Sequence, residues 1–426
     1  MFGGEIFIFP KTKKLEHMPG HFQEHEHHFL HGFNRELTEL YAASVIRGFA
    51  LTLIAIFEPI YLYIIFDHSF FKTFLFLGVS YLLTALWVPF GGKTLARIGV
   101  KHTMLISLPF VFVYYLGLWQ YEALGFFIIL LPAFFAAYTV LYWVPFHFDF
   151  ARFSDHKQRG RQMSYSYIII SAVASVAPFV GGFVIHRSGF PMLFAIVLSL
   201  LFASMIPLFL SKEIHGVYHD SYFKTFGSIL KRENRPKMLG FASAGAEVVI
   251  QSKVWPLFLF TIAIGFETLG GIMTASLVVG MLFFFYVGRL SDRIGTQRLL
   301  LVGGILNAVL WPIKVFVATP LNAFLAQTLH SFGRSAVHIP FGALFYDWAN
   351  EYEGGRERAI ILRSMALNGM GGIILILFAI IFAFTDKLYI AFPIGSVFAL
   401  GMIFTIKKIQ HGTPPQEVQE APPGQQ

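Results

Sequence analysis

The sequence contains no cysteine, which excludes disulfides and thiolate-held metals. It is also short of charge. Asp, Glu, Lys and Arg make up 13% of the 426 residues, against roughly 25% in a soluble globular domain. The phosphate-cradling pattern G-x-x-x-x-G-K-[ST] is absent, so direct drive by ATP is not expected. The opening MFGGEIFIF lacks a basic flank and runs into Pro10 and KTKK, so it is not read as a cleavable leader. No catalytic constellation emerges. His215 and Asp220 have the H-x-x-x-x-D spacing of some acyltransferases, but they stand alone and are read as chance. The expectation is a protein that is not an enzyme and uses no cofactor.

What is present is apolar surface. Hydrophobic residues form 56% of the chain, and Phe alone accounts for 50 positions. A bilayer-crossing helix needs about 20 apolar residues. Candidate spans fall near 42–66, 70–91, 103–120, 123–148, 165–186 and 190–211. Six more fall near 238–263, 268–288, 299–318, 321–346, 359–383 and 388–407. Backbone polar groups cannot stay bare in hydrocarbon, so each span is expected to be helical. The organisation predicted is a His-rich segment 1–40, a six-helix bundle 41–211, a central loop 212–237, a second bundle 238–407 and a disordered tail 408–426.

The net charge of +8 does not signal nucleic acid, because the cations sit in short inter-span loops. If the N-terminus is cytosolic, 24 of the 32 Lys and Arg face the cytosol. Lys72, Arg187, Lys314 and Lys387 lie opposite, with Lys314 free to snorkel outward. That asymmetry predicts both termini inside a plasma (inner) membrane. In the central loop, Tyr222, Phe223, Phe226, Ile229 and Leu230 are spaced for an amphipathic helix on the membrane surface.

The chain repeats itself. GRLSDRIGTQR starts at Gly288, 196 positions after GKTLARIGVKH starts at Gly92. Pro145–Phe146 recurs as Pro340–Phe341, and Arg161 recurs as Arg356, both at an offset of 195. Two six-span halves in the same orientation follow, related by an axis along the membrane normal. Parallel repeats of this kind are a transporter architecture.

The paired loops resemble the signature loop of the major facilitator superfamily, G-x-x-x-D-R-x-G-x-[KR]-[KR]. Gly288, Asp292, Arg293 and Gly295 match its core. In the first copy Gly92, Arg97, Gly99 and Lys101 match, but Ala96 stands where the acid belongs. APFVGG, with Pro178, Gly181 and Gly182, is similar to an element of the fifth span in that family. The resemblance implies a fold of twelve transmembrane helices in two repeats, secondary transport by alternating access, and loops that brace the halves in one conformation. It places Asp292 near Ser164 to Ser166. The ion contact from position 96 to the eleventh span is expected to be missing, so the gate should lean on the C-terminal half.

Ionisable residues inside spans are costly and mark function by default. Arg47 and Glu58 lie in the first span, close to three turns apart, so they share a face about 16 Å apart along the axis. Glu247 and Lys253 lie in the seventh and do not share a face. His330, Arg334 and His338 form one stripe on the tenth. The fourth offers Tyr138, Tyr142, Trp143 and His147, an aromatic wall. The resemblance implies that spans one, four, seven and ten line the cavity. Glu58 and Glu247 are the candidate proton carriers. Arg334, with Arg47 or Lys253, is the candidate for an anionic or polar substrate group. Internal ion pairing is the competing structural role for all of them.

His21, His25 and His28, within HFQEHEHHFLH, have spacings that suit a metal site. No span carries matching ligands, so a tail lying on lipid headgroups is preferred. The function expected is a monomeric, proton-coupled secondary transporter of a small organic solute, with export slightly favoured by APFVGG. Uptake of a nutrient or organic anion stands beside it. So does a non-transporting sensor with a metal-responsive tail.

Overall fold

The structure, a computed structural model, describes residues 35–153, 159–210, 213, 215, 218 and 220–406. Within helices it leaves out the side chains of 35–41, 149–153, 159–171, 210, 282, 284–286, 288–289 and 291–292. The His-rich segment, with His21, His25 and His28, lies outside the described residues, as does the tail. The regular elements among the described residues are all helices.

In chain order these are α1 (Arg35–Ala55), α2 (Glu58–Ile65), α3 (Phe70–Ile98), α4 (Val100–Trp119), α5 (Tyr121–Leu124) and α6 (Leu131–Phe153). Next come α7 (Arg159–Ala203), α8 (Met205–Leu210), α9 (Tyr222–Leu230), α10 (Arg235–Val249), α11 (Trp255–Thr261) and α12 (Phe266–Ile294). The last are α13 (Thr296–Leu310), α14 (Pro320–Glu351), α15 (Arg356–Phe382) and α16 (Ala391–Gly401). Among the described residues seven helices are long and apolar enough to cross a membrane, or eight if a bent pair counts as one span. The expected spans at 238–263, 268–288 and 321–346 are helical but outside that set; the first and last of them hold Glu247, Lys253, His330, Arg334 and His338.

The first span is not straight. α1 and α2 meet at a bend of 44°. Pro59 sits in the first turn of α2 and cannot donate the backbone hydrogen bond that would join it to Ala55. The straight-helix spacing of Arg47 and Glu58 is therefore corrected by a break between them. The fifth and sixth expected spans both fall within α7 but are two helices that part at Gly189, whose φ of 76° is open to glycine.

The repeated loops share one backbone solution. Gly99 turns α3 into α4 at φ 85°, and Gly295 turns α12 into α13 at φ 88°. α9 forms where the amphipathic pattern predicted it, with Phe223 and Leu230 exposed and Ser228 buried.

Helices of the N-terminal half pack on helices of the C-terminal half along α3 against α15 and α7 against α12. Close approach of α7 to α12 and to α1 explains the glycines of APFVGG. A Cβ on Gly182 would stand 2.3 Å from the Phe266 carbonyl oxygen, and one on Gly181 would stand 2.3 Å from that of Leu53. Gly270 reciprocates, its missing Cβ lying 2.3 Å from the Pro178 oxygen. Phe266 also meets the rings of Phe57 at 6.2 Å and Phe190 at 5.5 Å. The halves are thus closed on one another at the ends remote from the basic loops.

Candidate functional site

All seven candidates inside the spans are withdrawn from solvent. Arg47, Glu58, Glu247, Lys253, His330 and His338 are buried, and the Arg334 side chain is 12% exposed. Their pairing is selective. The Lys253 ammonium donates to the Glu58 carboxylate, joining α2 to the π-helical turn Ile250–Val254 that follows α10. Tyr114 on α4 donates to the other Glu58 oxygen at 2.7 Å. The two partners are 195 residues apart, the offset of the sequence repeat. Equivalent positions in the two halves thus carry opposite charges and meet.

Glu247 is held within its own half. Arg334 Nε donates to its two oxygens at 2.9 and 3.2 Å, and His338 Nε2 lies 3.2 Å from Oε2. His330 leaves the stripe. It packs edge-on against Trp311 with ring centroids 4.4 Å apart, and neither of its nitrogens has a hydrogen-bond partner among the described residues. Arg334 and Lys253, both candidates for substrate, are therefore engaged by carboxylates of the protein.

Arg47 is not. Its guanidinium lies 3.8 Å from the centroid of the Tyr142 ring. Its nearest ionisable neighbours are Tyr142, Tyr138 and Tyr115. Nε and Nη2 have no hydrogen-bond partner among the described residues. The aromatic wall continues beyond it, with Trp143 5.3 Å from Tyr142 and 5.9 Å from His147.

Lys314 overturns its expected position. It is fully buried rather than snorkelling outward. Its ammonium donates to Gln251 and, at 3.5 Å, to Gln327, between the faces of Trp255 at 4.4 Å and Trp311 at 4.6 Å. Two amide oxygens and two indole faces replace the water that snorkelling would have reached. This cluster was missed in the sequence, although a lysine beside tryptophans in an apolar run was the available signal.

On the basic face, Gly92 is buried, and a Cβ there would strike Ile361 and Tyr218. Arg97 and Arg293 are exposed, and Lys101 Nζ donates to the Phe209 carbonyl at 2.8 Å. The side chains of Asp292 and of Ser164 to Ser166 lie outside the described residues, as does the contact expected between them.

Position 96 does lack an ion contact, but the central loop supplies one. Asp220 approaches Arg358, in the first turn of α15, at 3.1 Å and also pairs with Lys224 at 3.1 Å. Arg358 donates to Ser228 of α9 at 2.5 Å. Glu213 caps α4, accepting from the backbone N–H groups of Lys101 at 2.9 Å and His102 at 3.1 Å. Acids of the central loop thus reach the starts of α15 and α4, contacts that the motif alone could not disclose. Burial raises the Tyr218 phenol above its usual range, so it stays protonated beside Thr225.

Among the described residues no group of three or more His, Cys, Asp or Glu could hold a metal. No protein-family model matches the chain, and no curated protein matches it. Solved structures do. The nucleoside transporter NupG aligns over 87% of this chain and 98% of its own, at 15% identity and a TM-score of 0.64. A D-xylose-proton symporter aligns over 86% and 96%, at 14% identity and a TM-score of 0.62. The E. coli fucose:proton symporter FucP aligns over 86% and 97%, at 14% identity and a TM-score of 0.59. The chain therefore has the major facilitator fold, that of multi-pass membrane transporters, as the paired loops implied. The sequence likeness is too low to carry over a subfamily.

Proposed function

We propose that the protein is a secondary active transporter that moves a small organic solute by alternating access, coupled to protons. In this reading it is a monomer with twelve spans in two six-helix bundles, 41–211 and 238–407, and both termini are cytosolic at the plasma membrane. The observation that supports it best is the Lys253–Glu58 pair, a buried ion pair between repeat-equivalent positions of the two halves. Rocking of the halves about a central site has to loosen that pair. A carboxylate released from its ammonium in a dry site is the group to take a proton. Glu247, bound to Arg334 and His338, is the second candidate carrier.

Uptake by symport is preferred, since two of the neighbours are named as proton symporters and the span-five glycines have a packing role. Export is the second reading, and its support is the APFVGG element itself.

The test is proton flux in proteoliposomes containing a pH-sensitive dye, challenged with a panel of organic solutes. An active solute should acidify or alkalinise the lumen only when protein is present. Glu58→Gln should abolish that signal yet keep exchange of labelled for unlabelled solute. If Glu58→Gln and Glu247→Gln both leave gradient-driven uptake intact, the proton reading is wrong.

A further inference from the structure

The other buried cations discussed above all have partners. Glu58 answers Lys253, Glu247 answers Arg334, and Lys314 is solvated by amides and indoles. Arg47 is the exception. It is 3% exposed, and no described carboxylate lies within ion-pair distance of it. A buried charge is ordinarily paired and hydrogen-bonded, because leaving it bare forfeits its hydration with nothing in return. The Tyr142 face offsets part of that cost. It does nothing for the N–H donors in the guanidinium plane.

The two unpartnered atoms, Nε and Nη2, form one edge of the guanidinium. That edge takes a carboxylate through two parallel hydrogen bonds. Thr139, on the same helix as Tyr142 and one turn before it, is 5% exposed and its hydroxyl also lacks a partner. It stands one repeat length before Arg334, so the N-terminal half carries a hydroxyl where the C-terminal half carries a guanidinium.

We infer that Arg47 is the substrate anchor and that the substrate is an organic monocarboxylate. Its carboxylate is held by the Nε–Nη2 edge of Arg47, with Thr139 as a further donor and the Tyr138–Tyr142–Trp143 wall against its apolar part. One unpaired cation neutralises one negative charge. A dianionic phosphate would leave a net negative charge buried. The inference rests on the transporter reading and narrows its solute.

Benzoate is the probe and benzamide its uncharged isostere, with inorganic phosphate as a second anion. Binding to the purified full chain in lipid nanodiscs is measured by calorimetry and by thermal shift. Benzoate should bind and raise the unfolding temperature, while benzamide and phosphate should not. Arg47→Gln should weaken benzoate binding at least tenfold. Arg47→Lys keeps the charge but loses the fork, and should weaken it less. If Arg47→Gln fails to fold, Arg47→Lys decides alone: benzoate affinity unchanged from wild type overturns the inference.

Equal binding of benzamide overturns it too, as does preference for phosphate. So does the absence of binding by benzoate and lactate alike. Exchange assays separate this inference from the reading beneath it. Benzoate binding that depends on Arg47, without exchange in proteoliposomes, sinks the transporter reading and leaves the site. Exchange of a neutral solute without carboxylate binding does the reverse.

Discussion

The two halves share loops, turns and helix order, yet they handle buried charge in opposite ways. The C-terminal half compensates itself. Glu247 is closed by Arg334 and His338, and Lys314 is enclosed by two glutamines and two tryptophans. The N-terminal half stays open. Glu58 is spent on the other half, and Arg47 rests on tyrosines alone. A repeat that places equivalent positions face to face cannot carry the same charge at both, because like charges would repel in a dry interior. At positions 58 and 253 the sequences have diverged to acid and base, which turns a symmetric clash into a bond. Asymmetry at the centre is thus a physical consequence of symmetry in the frame, and it leaves the N-terminal half with a charge to offer a ligand.

The sharpest way to break that contrast is to cut the bond between the halves. Lys253→Met leaves the Glu58 carboxylate buried beside Tyr114 with no cation. Glu58→Gln leaves the ammonium without its counterion. Each should cost about 3–5 kcal/mol of stability. The double variant Glu58→Gln/Lys253→Met removes both charges and should recover most of the loss. Unfolding followed by tryptophan fluorescence gives the coupling energy of this cycle. Additive losses would mean that the two residues do not act as a pair.

A smaller effect is expected at the joint where the halves reciprocate. Gly182 lies on the Phe266 carbonyl and Gly270 lies on that of Pro178, both so close that a Cβ would stand 2.3 Å away. Gly182→Val and Gly270→Val should each destabilise this closure by about 1–3 kcal/mol, and to a similar extent. The chain has no cysteine, so a single cysteine introduced in place of exposed Thr261 or Glu267 reports opening without background. Faster thiol labelling is expected in both variants. A large effect from one glycine and none from the other would show that the joint belongs to one half only.

Much of this frame was legible. Helices cover the expected spans, the offset between equivalent positions recurs in a bond, and the repeated loops turn on glycines at nearly the same φ. The ionisable residues inside the spans could also be picked out, because a charged group in an apolar run stands out. Which of them pair could not be read. Pairing depends on contacts between distant helices, on the bend at Pro59 and on the π turn around Lys253, none of which has a local period. Lys314 was misplaced because its position near a helix end suggested snorkelling. Its tryptophan and glutamine partners come from three segments of the chain. The contacts of Asp220 and Glu213 gave no signal, since loop residues are placed by what they happen to reach.

The smallest effect tests whether a loop acid has taken over the role of the missing one. Asp220 and Arg358 are partly exposed, with side chains at 17% and 10%. Removing the pair with Asp220→Asn should therefore cost only about 1 kcal/mol, the upper end for pairs in contact with water. Its expression should be local. Arg358 opens α15 and lies three residues before Ile361, which meets Gly92 and packs in the same cluster as Ala96. Loosening that turn should speed labelling of a cysteine at Glu357, which lines the small cleft there with Gly92 and Tyr218. Ala96→Asp restores an acid at the position that Asp292 holds in the other copy. Added to Asp220→Asn, it should return labelling towards the wild-type rate. If the double variant labels as fast as Asp220→Asn alone, the central loop is not standing in for position 96. The first half then braces its basic face by apolar packing of Gly92, Tyr218 and Ile361 rather than by charge.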